Sequence, residues 1–225
     1  MASGGAAQSA AAAKPAVSAT EAVFQQAATQ PSAPFEGNGW KSLFDGRSLA
    51  GWQVTDFGGH GGVHCEAGLA VIDMGDALSG ITWTNGDVPK MNYEVALDAM
   101  KITGSDFFCG LTFPVGETHA SLILGGWGGG TVGISSVDGE DASENETSKT
   151  MKFDTNRWYR VRVRVTEGKI ESWLDGQKIV DLDTRDKKIG LRFGDIELSK
   201  PLGIATYQTT AAVREIRLRK YPNTQ

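Results

Sequence analysis

The stretch WYRVRVRVTEGKIESWLDGQKIVDLD, residues 158–183, decides the fold class of this chain. Its first part alternates strictly: Tyr159 and every second residue up to Val165 are apolar, and arginines occupy the positions between them. Such alternation places the apolar side chains on one face of a β-strand and the arginines on the other. The pairs EG and DG that follow are turn signals. The stretch therefore predicts a three-stranded antiparallel meander with one buried face.

The same alternation recurs along the chain, in NYEVALDAM (92–100), THASLIL (118–124) and AAVREIRLRKY (211–221). Helical periodicity is almost absent after residue 35. Strands that are buried on one face need a second sheet to cover that face, because isolated hairpins bury too little surface. The pattern predicts an all-β protein, a two-sheet β-sandwich of jelly-roll type.

Composition narrows the classes of partner. The 225 residues carry 22 Lys and Arg against 27 Asp and Glu, a net charge of −5. This balance gives no basic surface for nucleic acid or for anionic membranes and favours neutral or weakly charged ligands. No apolar run reaches the roughly 18 residues of a membrane span. The pairing of the two cysteines, Cys65 and Cys109, and the oligomeric state stay open.

The chain divides by composition into a tail and a domain. Residues 1–34 are rich in Ala, Ser, Thr, Gln and Pro, which predicts a disordered tail that is dispensable for folding, with transient helix over 16–29. No signal peptide is visible in it, since a basic segment followed by a Leu-rich one is lacking. An exported protein's spacer and a native tail are both consistent with this composition. Residues 35–225 are predicted to form the sandwich domain.

The glycine-rich stretch GGWGGGTVGISSVDGEDASENET, residues 125–147, is the main candidate for a site. It lacks the Lys and Ser or Thr of a phosphate loop, and TVGISS after the glycines indicates a strand. Its acids lack EF-hand spacing, so we predict no cofactor and no metal ligands, with calcium the one weak alternative. The remaining interpretation makes the glycines the floor of a ligand cleft, Trp127 its platform and VDGEDASENET its polar rim.

GWKSLFDGRSLAGWQVTD, residues 39–56, resembles the opening of the 3-keto-disaccharide hydrolase domain family. The resemblance continues through GSDFFCGLTFPVG, GGWGGGTVGISSVDG, ESWLDGQKIVD and PLGIATYQTTAAVREIRLR, and covers roughly residues 38–220. It implies a concanavalin A-like jelly roll, an oligosaccharide or glycoside ligand, and export to the periplasm or the outside of a bacterial cell. The chain departs from the family at YQTTAA, where Thr209 and Thr210 follow Gln208 instead of the acid and His of many members.

The keto substrates of that family suggest a one-base mechanism. A ketone at C3 acidifies the C2 hydrogen, so a single base can form an enolate that expels the group at C1. Glu94, Asp98 and His119 are the candidate bases, because they lie on the non-core faces of their strands; exposure to solvent or pairing with arginines is the alternative. Two-carboxylate hydrolysis fits less well, since the backbones of Glu94 and Asp98 would lie about 13 Å apart on one strand.

Candidate ligand-binding residues complete the predicted site. Trp127 and then Trp83 offer faces for sugar stacking. Arg162 could bind an acidic sugar, although a solvated face neutralised by acids is the alternative; Asp106 and Gln208 lie in the family motifs. The leading hypothesis is a sugar-processing enzyme that cleaves 3-keto-glycosides or related oligosaccharides. The alternative is a non-catalytic carbohydrate-binding or adhesion module of the same fold.

Overall fold

The structure, a computed structural model, describes residues 19–221. It contains one helix, α1 (Ala19–Thr29), a single-turn element (Gly126–Gly129), a 3₁₀ helix (Asp195–Ser199) and fifteen strands. Among these residues no helix has the length and apolar character needed to cross a membrane. The strands are β1 Lys41–Ser42, β2 Trp52–Val54, β3 Val63–Glu66, β4 Leu69–Ile72, β5 Leu78–Trp83, β6 Tyr93–Gly104, β7 Cys109–Val115, β8 Thr118–Gly125, β9 Thr131–Ser135, β10 Lys149–Thr150, β11 Trp158–Thr166, β12 Lys169–Leu174, β13 Gln177–Asp183, β14 Gly203–Tyr207 and β15 Thr209–Lys220.

The strands form two antiparallel sheets. Sheet A has the order β13-β12-β11-β6-β15-β4-β3, with β1 also paired to β15. Sheet B has the order β10-β9-β8-β7-β14-β5-β2. The predicted all-β, two-sheet sandwich of jelly-roll type is confirmed.

The core lies between the inner faces of the two sheets, and alternation selects its residues. Sheet A contributes, for example, Val95 and Leu97 of β6 with Val161 of β11, and sheet B contributes Leu111 of β7 and Leu122 of β8. The meander predicted from residues 158–183 is present, with its turns at 167–168 and 175–176. Burial alternates along β11 at every residue, as the Val/Arg pattern requires.

A β-bulge corrects the register of the last strand. Val213, Ile216 and Leu218 all belong to the core, although the first two are three residues apart. The pairing of β15 with β6 shifts between Arg214 and Arg217, and Glu215 there has a left-handed φ of 55°. The extra residue restores the alternation, so that Ile216 and Leu218 point inward again.

The predicted disordered tail is wrong over residues 19–34. Helix α1 packs on the outer face of sheet A, where Phe24 and Ala27 are buried against Val71, Met100 and Ala212. The apolar area under Phe24 offsets the entropy of ordering the segment, which composition alone did not reveal. Residues 1–18 lie outside the described part of the chain.

Residues 19–40, which we call the strap, consist of α1 and the segment that follows it across the outer face of sheet A. Arginines of the sheet hold the strap by its main-chain carbonyls. Arg214 donates to Gln30 O at 2.8 Å, Arg160 to Ala33 O at 2.7 Å and Arg219 to Glu36 O at 3.0 Å. The strap therefore covers charged side chains that the alternation pattern alone would assign to solvent.

We expect Phe24→Ala to lower the free energy of unfolding by about 3 kcal/mol, because it removes a buried aromatic ring and leaves a cavity. Urea denaturation measures the change. Phe193→Ala is the matched control, since Phe193 is 95% exposed, and should shift the value by less than about 0.5 kcal/mol. Equal effects of the two substitutions would show that α1 does not dock in solution.

Candidate functional site

The sequence-predicted site residues separate onto opposite sides of the sandwich. Glu94 and Asp98 lie on β6 in sheet A, whereas His119 and Trp127 belong to β8 and the turn after it, in sheet B. The prediction that these side chains converge in one groove is therefore wrong. Alternation identified their non-core faces correctly, but each face belongs to a different sheet.

Glu94 is fully buried in a cluster of arginines. Arg164 donates to its Oε1 and Arg219 to its Oε2, each at 2.7 Å, and Arg162 lies 3.4 Å from Oε1. Burial by itself raises the pKa of Glu94, but the neighbouring Tyr221, Arg164 and Arg219 outweigh burial and hold the pKa below its ordinary value of 4.5. A carboxylate held ionised between arginines is a structural ion pair and a poor general base.

Asp98, four residues further along β6 on the same face, has a similar environment. Its carboxylate accepts hydrogen bonds from Arg160, from Arg214 at 3.2 Å and from the hydroxyl of Ser32 at 3.0 Å. Two of these donors belong to the strands that flank β6, and the third, Ser32, belongs to the strap. The alternative that the sequence left open for Glu94 and Asp98, pairing with arginines, is what the structure contains.

A cleft lies on the outer face of sheet B, with a volume of about 270 Å³. Trp127, which is 43% exposed, forms one wall. Most of the other lining side chains are apolar or aromatic, and the polar ones are Ser121, Ser135, Arg192 and Asp195. An apolar cleft with a few convergent polar groups is typical of a ligand site.

The glycines around Trp127 determine how it is presented. Trp127 itself has a left-handed φ of 48°, which is rare for a bulky residue, and Gly125 and Gly128 are left-handed too. A Cβ on Gly126 would lie 2.8 Å from Ile123 Cγ2, so the turn rests directly on β8. A strained aromatic residue that is left exposed at a cleft indicates a functional constraint.

Asp106 fixes this turn in place. Its Oδ2 accepts from Gly128 N at 2.9 Å and its Oδ1 from Phe107 N at 2.8 Å. The main chain of Asp106 is held in turn by the hydroxyl of Thr209, which donates to its carbonyl at 3.0 Å. Asp106 therefore positions Trp127 and Phe107 on the cleft; its carboxylate oxygens are engaged by the protein.

Hydroxyl groups form the floor of the cleft. Ser121 of β8 and Ser135 of β9 are register partners, so their side chains lie side by side. Ser121 Oγ is 2.7 Å from Thr112 Oγ1, and Ser135 Oγ donates to Asp141 Oδ1 at 3.1 Å. These serines therefore place hydroxyl groups, which can donate and accept hydrogen bonds, at the floor of the cleft.

The remaining walls contain aromatic residues that the sequence analysis missed. Tyr207 and Phe107 are 5.9 Å apart between ring centroids, and Phe193, 95% exposed, stands at the mouth. The Tyr207 amide donates to the Phe107 carbonyl at 3.0 Å, which brings the two rings together from distant parts of the sequence. Phe107 and Tyr207 both lie in the family motifs, and this was the signal in the sequence that could have identified them.

Three of the predicted ligand residues lie elsewhere. Trp83 packs in the core against Trp52, with ring centroids 5.2 Å apart, so its predicted stacking role is wrong. The side chain of Gln208 donates to Asp76 O at 3.2 Å and does not line the cleft. Arg162 lies on the outer face of sheet A, away from Trp127, with its guanidinium 4.0 Å above the ring of Trp173.

His119 lies on β8, two residues before Ser121 on the same face, but it is not among the residues that line the cleft. Burial, together with Lys200 and Lys90, lowers the pKa of His119 below its ordinary value of 6.5. The imidazole is therefore neutral at neutral pH, a state in which it can accept a proton.

The acidic loop after β9 is organised by an amide. The Asn145 side chain donates to Ile134 O and Asp141 O, each at 2.8 Å, and accepts from Thr147 N at 2.9 Å. Lys187 pairs with Glu146 at 2.6 Å. Within residues 19–221 there is no group of three or more His, Cys, Asp or Glu side chains placed to hold a metal ion.

Comparison with known proteins identifies the family and the fold. The sequence profile of the 3-keto-α-glucoside-1,2-lyase-like domain matches residues 39–219. A search of curated proteins finds no match.

Solved structures of similar fold include both enzymes and binding modules. The Crh5 transglycosylase in complex with NAG is 14% identical over 87% of this chain and 90% of its own, with a TM-score of 0.57. Carbohydrate-binding module CBM66 from Bacillus subtilis is 13% identical over 76% and 96%, with a TM-score of 0.53. Domain 4 of AbnA, a GH43 extracellular arabinanase from Geobacillus stearothermophilus in complex with arabinotriose, is 15% identical over 81% and 91%, with a TM-score of 0.52. At these identities the likeness establishes the fold.

We expect Glu94→Gln to destabilise the protein by about 3 kcal/mol at neutral pH, because the surrounding arginines lose their buried counter-charge. A carboxylate whose pKa is lowered by folding stabilises the fold above its ordinary pKa, and that stabilisation is lost as the pH falls through the lower folded value. The difference between wild type and variant should therefore shrink below about pH 4.5. Denaturation at several pH values measures it.

Glu117→Gln is the control, since that side chain is 88% exposed and pairs only with Lys90. It should leave stability nearly unchanged at every pH. A Glu94→Gln protein as stable as wild type would refute the structural role assigned to this carboxylate.

Proposed function

Because the chain belongs to the 3-keto-α-glucoside-1,2-lyase-like domain family, we propose that the cleft on the outer face of sheet B binds a carbohydrate. The observation that carries the proposal is Trp127, an exposed aromatic ring held in a strained backbone conformation beside a floor of serine hydroxyls. The apolar face of a pyranose packs on such a ring, and its hydroxyls bond to polar groups at the edges. Ser121 and Ser135 supply those groups.

The size and lining of the cleft favour a terminal sugar unit or its glycosidic neighbour. A volume of about 270 Å³ is near the lower end for ligand pockets, so most of a longer oligosaccharide would extend past Phe193. Arg192 crosses toward Trp127, with its guanidinium 6.0 Å from the ring centroid, and lies 3.4 Å from Asp141. The Arg192 guanidinium is therefore held beside Trp127 at the cleft.

We expect Trp127→Ala to weaken binding of neutral oligosaccharides by about 1–3 kcal/mol, because the stacking surface is lost while the fold is kept. Isothermal titration against a panel of oligosaccharides measures the affinity. Met74→Ala is the control, because Met74 is an apolar side chain of similar exposure (42%) that does not line the cleft, and it should bind normally. Equal loss in both variants, or no binding by the wild type at millimolar concentrations, would refute the proposal.

Cleavage of 3-keto-glycosides is the second candidate function, and family membership favours it. Among the described residues that line the cleft, Asp195 is the one acid, so a two-carboxylate mechanism lacks its second group. A 3-keto sugar needs only one base. The base takes the C2 proton, the C–H electrons form the enolate, the C1–O bond breaks with protonation of the leaving group, and water then adds at C1.

In this second function Asp195 is the proposed base, with Ser121 or Ser135 as a donor to the enolate oxygen. Asp195 begins the 3₁₀ helix Asp195–Ser199 and lines the cleft together with Ser121 and Ser135. His119, predicted from sequence, is neutral at neutral pH but would have to act from outside the lining.

We expect the protein, if catalytic, to release the aglycone from a 3-keto-glucoside and not from the unoxidised parent glucoside. Asp195→Asn should then lower kcat by about 100-fold or more with binding retained, since general-base catalysis contributes that much. Glu197→Gln, in the same 3₁₀ helix and paired with Lys200, is the control and should keep full activity. Binding of these glycosides without release of the aglycone would refute the catalytic function and support carbohydrate binding alone.

A further inference from the structure

A second cavity lies on the opposite side of the molecule, between the strap and sheet A. Its volume is about 290 Å³. Phe35 and Trp40 of the strap form one wall, Trp173 and Arg162 form the other, and Ala96 of β6 lies at its base. It shares no residue with the cleft that contains Trp127.

The register of sheet A places an arginine on both sides of three successive outward positions of β6. Asp98 lies between Arg160 and Arg214, and Glu94 lies between Arg164 and Arg219. The position between these acids is Ala96. Its register partners are again arginines, Arg162 and Arg217.

The two arginines that flank Ala96, Arg162 and Arg217, therefore have no carboxylate between them. Arg217 pairs instead with Glu215 on its own strand. Arg162 has one ion-pair contact, from Nη1 to Glu94 Oε1 at 3.4 Å, although its side chain is only 19% exposed.

Arg162 also differs from the neighbouring arginines in its hydrogen bonding to the strap. Arg160, Arg214 and Arg219 each donate to strap carbonyls, whereas Arg162 makes no such hydrogen bond within the described residues. Its guanidinium rests on Trp173 at 4.0 Å and lines the cavity. A half-buried guanidinium that keeps free donors beside a cavity is set up to receive an anion.

We propose that this cavity binds a sugar acid, whose carboxylate takes the place of the acid missing at Ala96 and accepts hydrogen bonds from Arg162. Ala96 and Gly176 leave room above the sheet, and the rings of Phe35, Trp40 and Trp173 surround an apolar sugar face. Glu36 and Asp175 also line the cavity, where they can accept from sugar hydroxyls. Their charges favour a ligand with a single carboxylate over a dianion.

Isothermal titration with sodium glucuronate tests the site, with glucose and acetate as probes of the two halves of the ligand. We expect saturable binding of glucuronate that is stronger than that of either probe. Arg162→Gln should weaken it by about tenfold or more, since the charged hydrogen bonds are lost. Arg185→Gln, an exposed arginine paired with Asp183, is the matched control and should bind normally, as should Trp127→Ala.

Ala96→Asp provides a second variant that does not depend on Arg162. It supplies the missing carboxylate from the chain itself and should block glucuronate. A lack of saturable glucuronate binding by the wild type, normal binding by folded Arg162→Gln or Ala96→Asp, or loss in Trp127→Ala would overturn the proposal. Acetate or glucose binding as tightly as glucuronate would overturn its assignment to a sugar acid.

Discussion

The ion pairs on the outer face of sheet A are the constraint on which the rest of the structure depends. Glu94 and Asp98 each lie between arginines of β11 and β15, and the two carboxylates are removed from bulk water while their arginines are 9–32% exposed. Buried charges are tolerated only when their partners are complete. The three longest strands of the sheet are therefore held in one register, because a slip would separate the acids from their arginines.

The strap completes this arrangement. Two carboxylates cannot satisfy five arginines, and the main-chain carbonyls of residues 27–38 accept several of the remaining hydrogen bonds. Burial of Phe24 anchors the strap, and the hydrogen bonds to its carbonyls fix its path across the sheet. The segment and the charged face thus stabilise each other.

The two outer faces consequently serve different purposes. On sheet A, charged side chains and the strap cover much of the surface, and a cavity lies over Ala96. On sheet B, serine hydroxyls and exposed rings leave the surface open at the cleft beside Trp127. An open aromatic cleft is consistent with the carbohydrate-active family to which the chain belongs.

The sequence by itself determined the strands, their inward faces and the two-sheet sandwich, because alternation at period two reports which side chains leave water. It also singled out Trp127, since flanking glycines have no side chains to cover a ring. Only the tertiary structure decided that Glu94 and Asp98 lie on the other sheet from Trp127, and that Trp83 belongs to the core. Alternation identifies the face of a strand but not the sheet it joins. Nor does it show what covers that face: the strap, Tyr207 and Phe193 reach their positions through contacts between residues far apart in sequence, which no local pattern records.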